Sequence, residues 1–383
     1  MSEYQYYEFL ALDRQLTKNQ ITELRKVSSR AEISSTRFAN EYNYGDFRGD
    51  EQEFLEKYFD VMVYVANWGT HRFMLGLDKE IVDKDFIEQC CAGDSFSFEV
   101  RKSRLILDFS SNTEEYEWEK GDDWMTLLSS VRTEINQGDT KAFYLGWLLS
   151  AQSDELDDDN LEPEVPPGLK NLSPSLKSLA EFLRIDEDLL AVAAENSQPE
   201  STQAQDQRHK LAQWISSLPE TEKNSLLLEI VDSQQVNLAA RLLQRFRKET
   251  ANKRTIDPSI KKRTVKELIE KAEQKRKHRE EEEKKLLAQK RAKEKAEAEK
   301  KRSVYLESLI PRQESVWKEI IELIASSKPK SYDEATSKLV DLRDISIKTN
   351  TEKIFQTRFN ELCQKHSRKP SLIARFKDAK LIG

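Results

Sequence analysis

The sequence predicts a small α+β domain followed by a mostly α-helical chain. Aromatic and β-branched residues are concentrated in residues 1–152, and apolar residues recur with helical spacing from Ser173 onward. Residues 261–307 consist almost entirely of Lys, Arg, Glu, Gln and Ala. Alternating β-branched and aromatic residues favour strands, whereas a 3.6-residue spacing favours amphipathic helices. We therefore expect an α+β domain, a helical bundle, a long charged single helix or partial coiled coil, and a C-terminal helical hairpin.

The first domain is predicted over residues 1–152. Thr17 is the expected N-cap of its first helix, because a threonine hydroxyl can accept a hydrogen bond from a free backbone N–H there. Phe96, Phe98 and Val100 alternate with polar residues, which is typical of a strand. We predict strands over Tyr4–Leu12, Val61–Ala66, His71–Leu77, Phe96–Val100 and Leu105–Phe109, and helices over Thr17–Ser28, Glu53–Tyr58, Asp122–Gln137 and Lys141–Ala151.

An acidic, proline-bearing segment follows at residues 153–168 and contains few large apolar residues. This composition predicts a solvated linker, with an acidic docking segment as the alternative. The helical bundle is predicted over 169–250, with Ser173 as N-cap and Pro174 in the first turn. Leu176, Leu179 and Phe182 form the first of its apolar stripes.

A long charged helix is predicted over residues 258–308. No large apolar residue occurs from Glu273 to Lys285, whereas a two-stranded coiled coil needs apolar a and d positions throughout. Glu→Lys pairs four residues apart each stabilise an isolated helix by about 0.2–0.5 kcal/mol. A single solvated helix is the leading interpretation, and a coiled-coil homodimer and disorder are the alternatives. The pairs are Glu267–Lys271, Glu273–Lys277, Glu280–Lys284, Glu281–Lys285 and Glu297–Lys301.

The last region, residues 312–383, again shows amphipathic helices. Two of them are joined by a short connection around Asn350, which predicts a helical hairpin. A short final helix is predicted over Ser371–Leu381, with Ser371 as its cap. The predicted apolar stripes are Trp317, Ile320, Ile321 and Ile324, then Ala335, Leu339, Leu342 and Ile345, and then Ile354, Phe355, Phe359 and Leu362.

The composition restricts the class of protein. The chain of 383 residues is 37% hydrophobic and 34% charged, compared with about 45–50% and ~25% in typical globular domains. No apolar run approaches the ~20 residues that span a bilayer, and the N-terminus lacks a secretion signal. The three cysteines do not form a disulfide framework. We therefore expect a cytoplasmic protein that does not contact a membrane.

Charge divides the chain into two halves. Residues 1–240 carry 46 acidic and 23 basic residues, whereas residues 241–383 carry 23 acidic and 39 basic residues. A division of this kind is typical of a chain that binds partners at both ends. Surface lysines and arginines in the basic half could bind a polyanion such as nucleic acid.

No sequence pattern in the chain predicts catalysis or metal binding. The four histidines are scattered, and the adjacent Cys90 and Cys91 lack the spacing that lets two thiolates share a zinc ion. Nucleophile-elbow, Walker A and dinucleotide-binding motifs are not found in the sequence. We predict a non-enzymatic protein without a cofactor. An enzyme of unfamiliar type in residues 1–150 is an alternative, and it requires an exposed Cys90 or a cleft with convergent carboxylates.

Two sets of candidate interface residues follow from the residue types. Aromatic residues near the N-terminus exceed what one small domain usually buries, and Tyr and Trp are frequent anchors of protein interfaces. The protein-interface candidates are Tyr4, Tyr6, Tyr7 and Trp68, although packing in the core is the favoured interpretation of these aromatic residues. The nucleic-acid candidates are Lys365, Arg368, Lys369, Arg375 and Lys377.

Two resemblances extend this interpretation. The segments YYEFLALDRQLT, NYGDFRGD, ANWGTHRFML and PPGLKNLSPSLKSLAEFLRIDEDLLAVAAE resemble an uncharacterised family of bacterial proteins over residues 4–250. That resemblance implies no activity. The runs SYDEATSKLVDLRDISIKTN and HSRKPSLIARF are similar to helical tails behind bacterial SWIM-type zinc fingers. The zinc ligands of such a finger have no counterpart here, so the resemblance implies only a place in multi-protein systems that handle nucleic acid.

We therefore predict a non-enzymatic adaptor or scaffold that joins one or more protein partners through a rigid charged helix. The alternative is a nucleic-acid-binding accessory factor that uses the basic C-terminal region.

Overall fold

The computed structural model describes residues 4–80, 82, 84–102, 104–113, 121–199, 204–231, 238–250 and 262–382. The chain divides into two compact units, Met1–His278 and Arg279–Gly383.

An antiparallel sheet of seven strands forms the centre of the first unit. Its strand order is β2-β3-β1-β4-β5-β7-β6. The pairs of strands predicted around the turn at Gly69 and over residues 96–109 are confirmed as β4–β5 and β6–β7. The strands are β1 (Gln5–Leu10), β2 (Glu32–Ile33), β3 (Arg37–Tyr42), β4 (Val61–Ala66), β5 (Thr70–Asp78), β6 (Phe96–Arg101) and β7 (Arg104–Asn112).

Helices cover both faces of this sheet. The side chains of Val61, Val63 and Val65 in β4 join one apolar core, and those of Met62 and Tyr64 join another on the opposite face. Burial on both sides explains why β4 has an uninterrupted apolar sequence. The helices are α1 (Lys18–Val27), α2 (Glu51–Lys57), α3 (Lys84–Cys90), α4 (Trp124–Asn136), α5 (Lys141–Gln152), α6 (Pro174–Phe182), α7 (Glu187–Ala193), α8 (Ala204–Ser217), α9 (Glu220–Val231) and α10 (Leu238–Thr250).

Local hydrogen bonds fix where several helices begin. Thr17 caps α1 through a capping box with Gln20, as predicted. Ser173 accepts a hydrogen bond from the Leu176 N–H, and Pro174 occupies the first turn of α6. These caps can be predicted from sequence because they depend on residues three positions apart.

The helices predicted as one bundle over 169–250 fall into two groups. Leu176 and Leu179 of α6 and Leu189 of α7 belong to the same core as the sheet and α4–α5. Helices α8–α10 pack instead around Trp214 and Phe246. The predicted boundary at residues 153–168 is therefore crossed by a continuous core. An apolar stripe shows that a helix is buried, but it does not show which element covers it.

The segment 153–168 has no helix or strand, but it is not the solvated spacer that its composition predicts. Leu156 and Glu162 are buried. Leu161 pairs with Thr264 in an isolated β-bridge, and the Glu162 N–H donates to the Arg263 carbonyl at 2.9 Å. Glu162 can be buried here because an arginine neutralises its carboxylate, whereas the acidic residues at 154, 155, 157–159 and 164 are exposed.

Glu162 and Arg263 form a buried ion pair, in which the two residues are only 2% and 6% exposed. The Arg263 guanidinium donates to both Glu162 oxygens at 2.6 and 2.8 Å. It also donates to the carbonyls of Val192 at 2.7 Å and Ala193 at 3.1 Å. Tyr144 of α5 donates its hydroxyl to the same carboxylate. The ion pair thus connects the acidic segment, α5, α7 and the residues that precede the long helix.

The predicted long charged helix is confirmed as α11, which runs for 45 residues from Val265 to Leu309. At about 1.5 Å per residue, its length is roughly 68 Å. Val265, Leu268 and Ala272 pack into the core of the first unit, and residues 273–302 are exposed. Residues 258–261 of the predicted helix lie outside the described residues, and residues 262–264, which were included in the prediction, are not helical. Pairing of α11 with a second copy stays a prediction.

Two of the predicted Glu→Lys pairs lie within ion-pair distance, Glu273–Lys277 at 3.9 Å and Glu280–Lys284 at 3.8 Å. Arg279–Glu283 at 3.4 Å and Lys295–Glu299 at 4.0 Å add pairs of the opposite polarity. Intrahelical ion pairs therefore stabilise the exposed part of α11. No helix among the described residues is both long and apolar enough to cross a lipid bilayer.

The second unit contains the predicted hairpin and two further helices. Asn350, at φ 56°, lies in the connection between α13 and α14. Ile320, Leu339, Phe359 and Phe376 share one core, whereas the predicted stripe residues Ile321 and Ile354 are exposed. The helices are α12 (Gln313–Ala325), α13 (Pro329–Lys348), α14 (Glu352–Lys365) and α15 (Pro370–Asp378).

The prediction that Ser371 caps the last helix is wrong. Lys369 occupies the N-cap position and Pro370 the first turn of α15. Proline is favoured in the first turn because its fixed φ suits a helix and its missing N–H would have no partner there.

We expect Arg263→Met to lower the free energy of unfolding of the first unit by about 3–5 kcal/mol, because it leaves a buried carboxylate without its cation. Urea denaturation measures this loss. The double variant Glu162→Leu/Arg263→Met should recover much of it, since two apolar side chains leave no buried charge. Lys266→Met is the matched control, because Lys266 is exposed and lies 3.5 Å from the exposed Asp158. Equal losses in Arg263→Met and Lys266→Met would contradict a stabilising role for the buried pair.

Candidate interaction surfaces

Three of the four aromatic interface candidates are core residues. Tyr4, Tyr6 and Tyr7 are buried, so their prediction as exposed anchors is wrong. They flank or belong to β1, which lies between β3 and β4 inside the sheet. The Tyr6 hydroxyl donates to Glu8 at 2.9 Å, and the Tyr7 ring stacks on Phe47 at 5.0 Å. Burial raises the pKa of both hydroxyls, and for Tyr6 the nearby Glu8 carboxylate raises it further.

Trp68 is the fourth candidate, and it remains available to a partner. It lies in the turn between β4 and β5 and is 43% exposed. The turn is fixed by Gly69, whose φ of 95° belongs to the left-handed region. A side chain on Gly69 would also collide with the Thr113 carbonyl. A rigid turn therefore presents the indole to solvent.

The five basic candidates of the C-terminal region separate into two groups. Lys369 donates to the Ile324 carbonyl at 2.7 Å and to Ser327 at 3.0 Å, and its ammonium lies over the Tyr332 ring. Arg375 forms an ion pair with Asp333 at 2.5 Å. These two cations hold α15 against the rest of the second unit.

The other three candidates, Lys365, Arg368 and Lys377, are exposed and form no ion pair among the described residues. His366 lies beside this group. Its partial burial lowers the pKa of the imidazole, and the positive charges of Lys369 and Lys365 lower it further. The cationic surface is therefore smaller than the sequence predicts, because two of its five members are used within the fold.

A second buried charge network in the first unit was not found from the sequence. It consists of Asp13, Asp60, Arg104 and Arg132. Arg104 lies 2.8 Å from Asp60, and Arg132 donates to Asp13 at 2.9 Å. Asp60 also accepts hydrogen bonds from the N–H groups of Leu12 and Asp13. These residues are up to 119 positions apart, so no local pattern reveals the network.

Electrostatics determine the ionisation of Asp60. Burial opposes ionisation, but attraction from Arg132 and Arg104, together with the two backbone N–H donors, lowers the pKa of this carboxyl below its ordinary value. Both carboxylates of the network lie beside arginines, so this network stabilises the fold and presents no free acid or base.

The thiols are not arranged for nucleophilic chemistry. Cys90 is fully buried, whereas the enzyme hypothesis based on this thiol requires it to be exposed. Burial raises the pKa of Cys91 to about 12, so its thiol is protonated at neutral pH. Among the described residues, no group of three His, Cys, Asp or Glu side chains is placed to hold a metal ion.

A cleft of about 710 Å³ lies in the first unit beside α9 and α10. Both basic and acidic side chains line it. Arg245 forms an ion pair with Glu222, and Arg241 lies 3.7 Å from Glu229. Because these cations face carboxylates of the same cleft, its charge does not favour either an anionic or a cationic ligand.

Comparison of the chain with models of protein families, with curated proteins and with solved structures finds no match. The resemblances to a bacterial family and to tails of SWIM-type proteins therefore stay predictions.

Acid should weaken the first unit through Asp60. Its folded pKa lies below the unfolded value of about 3.9. The ionised carboxylate therefore stabilises the fold fully above that unfolded pKa, and this contribution is lost as the pH falls through the lowered folded pKa. As the pH is lowered from about 6 to 2, the urea concentration at the midpoint of unfolding should fall less steeply for Asp60→Asn than for the unchanged protein. Asp159→Asn, at an exposed position, is the control and should keep the original profile. A profile for Asp60→Asn identical to that of the control would contradict this account.

The two groups of C-terminal cations should differ in their effect on stability. We expect Lys369→Gln to lower the free energy of unfolding of the second unit by about 1 kcal/mol, because hydrogen bonds from a charged donor are lost. Lys365→Gln should change it by less than about 0.5 kcal/mol, as is usual for an exposed side chain. Urea denaturation distinguishes the two, and equal effects would show that Lys369 is not a structural cation.

Proposed function

We propose that the chain is a non-enzymatic adaptor that binds one protein partner through the first unit and another through the second. The observation that carries this proposal is α11, which begins in the core of the first unit, continues through thirty exposed residues, 273–302, and ends in the second unit. A helix that is exposed along such a length is better suited to connecting two units than to forming part of a core.

Each unit has an apolar core of its own, which supports independent binding by the two units. The first core includes Leu107, Trp147 and Leu179, and the second includes Ile320, Leu339 and Phe359. A unit that buries its own core can use its surface for recognition.

Exposed large apolar side chains in both units are suitable contacts for protein partners. Trp68 and the adjacent pair Leu227 and Leu228 belong to the first unit, and Ile347 and Ile354 belong to the second. Aromatic and aliphatic side chains of this kind anchor protein interfaces when a partner covers them. We propose that the adaptor acts in the cytoplasm, where its three free cysteines would stay reduced.

Binding measurements on the full-length chain test this proposal. Purified protein at micromolar concentration would be tested against the proteins encoded beside it in its own genome. We expect Trp68→Ala or Leu227→Gln/Leu228→Gln to weaken the binding of one partner by on the order of 30-fold, which is the effect of losing an interface anchor. The binding of a second partner should be unaffected. Ile347→Gln/Ile354→Gln should show the converse pattern.

Leu286→Gln is the matched control, because Leu286 is as exposed as these residues but lies on the middle of α11. Failure to bind any of the neighbouring proteins would contradict the adaptor. Loss of the same partner with both sets of variants would show one binding surface instead of two.

A further inference from the structure

The exposed part of α11 within the second unit carries an unusual excess of positive charge. Residues 284–302 contain nine basic and three acidic residues, and all of them are exposed. We propose that this part of α11 binds double-stranded DNA through its phosphate backbone, without preference for base sequence. This site goes beyond the adaptor proposal and does not depend on it.

The nine cations of this stretch are distributed around the helix, and six of them form two groups on different sides. Successive residues are rotated by about 100°, which places Lys284, Lys295 and Arg302 within about 20° of one another. These three are already paired. Lys284 lies 3.8 Å from Glu280, Lys295 lies 4.0 Å from Glu299, and Arg302 lies 2.6 Å from Asp341.

The other side is formed by Lys285, Lys293 and Lys300, and it is called the Lys285 face. At about 100° per residue these lysines lie within roughly 80° of arc. No carboxylate of residues 285–300 falls inside that arc, and Glu282 lies in it one turn before Lys285. None of the three lysines forms an ion pair with another described residue. The Lys285 face therefore offers three free ammonium groups in a line, about 12 and 10.5 Å apart along the axis.

The composition of this stretch favours a phosphate backbone over other polyanionic partners. Leu286 and Leu287 are the only large apolar residues of this stretch, and no aromatic or large apolar residue occurs from Ala288 to Ser303. Protein interfaces and membrane-surface helices need such anchors, and proteins that bind single strands use aromatic rings to stack bases. Contacts to duplex phosphates need only cations at a surface. A helix about 10–12 Å in diameter also fits the major groove of B-DNA, which is about 12 Å wide.

The test measures binding of a fluorescent DNA duplex of arbitrary sequence to the full-length chain by anisotropy, from about 50 to 200 mM NaCl. We expect the triple variant Lys285→Gln/Lys293→Gln/Lys300→Gln to weaken binding at the lowest salt by on the order of tenfold or more. It should also reduce the slope of log K against log[NaCl] by about 2.7, from three lost phosphate contacts at about 0.9 each. Lys and Gln have similar helix propensities, so the circular dichroism of the variant should be unchanged.

Two matched variants separate the site from a general effect of charge. Lys18→Gln/Lys26→Gln/Lys177→Gln removes the same charge from exposed positions of the first unit and should leave both the affinity and the slope unchanged. Lys285→Arg/Lys293→Arg/Lys300→Arg keeps the charges and should retain binding. An equal loss in the first-unit control would overturn the proposal, because net charge alone would then explain the binding.

Three other outcomes would also overturn it. The first is failure of the unchanged chain to bind the duplex at the lowest salt. The second is loss of binding in Lys365→Gln/Arg368→Gln/Lys377→Gln but not in the variant of the Lys285 face, which would place the site at the C-terminal cluster. The third is binding to single-stranded DNA, or to vesicles of anionic lipid, that is as tight as binding to the duplex and equally sensitive to the Lys285-face substitutions.

Discussion

The buried ion pair between Glu162 and Arg263 is the interaction on which the arrangement of the first unit depends. Two charges at such low exposure are tolerated only if nearly all of their hydrogen-bonding groups find partners. Here the guanidinium donates hydrogen bonds to the Glu162 carboxylate and to the carbonyls of Val192 and Ala193, and the Tyr144 hydroxyl donates to the same carboxylate. Because Arg263 lies two residues before the start of α11, the pair determines where the long helix leaves the core of the first unit. The acidic segment is consequently a structural part of that unit.

Arginine and lysine side chains from one short stretch of sequence have opposite roles in this chain. Arg263 adjoins Lys262, and from sequence both belong to a basic cluster of the positive half. Lys262 is exposed, whereas Arg263 is buried and forms an ion pair with a glutamate 101 positions away. The same distinction separates Lys369 and Arg375 from Lys365 and Arg368. Whether a cation is available to a ligand therefore depends on the tertiary position of a carboxylate or carbonyl, which no local charge pattern reveals.

Features that depend on neighbours in sequence could be predicted, and features that depend on distant partners could not. The strand β4, the cap Thr17 and the helix α11 follow from composition, spacing and the capping box within a few residues. Strand β3, with the sequence RFANEY, was missed because its polar residues weaken the alternation that identifies strands. The burial of Tyr6 and Tyr7 is not evident from the sequence, because only the strand order shows that β1 is internal. Trp68 could be recognised because an exposed turn is a local feature.

The exposed middle of α11 shows how one helix can meet two requirements at once. Ion pairs such as Glu280–Lys284 each contribute only a few tenths of a kcal/mol, but they lie along the helix itself and need no partner element. A cation in such a pair must give up its carboxylate before it contacts a phosphate, which reduces the gain from binding. The Lys285 face avoids this exchange, because its lysines are solvated and unpaired among the described residues. The helix can therefore keep its stabilising pairs on one side while its free lysines on the other side contact an anionic surface.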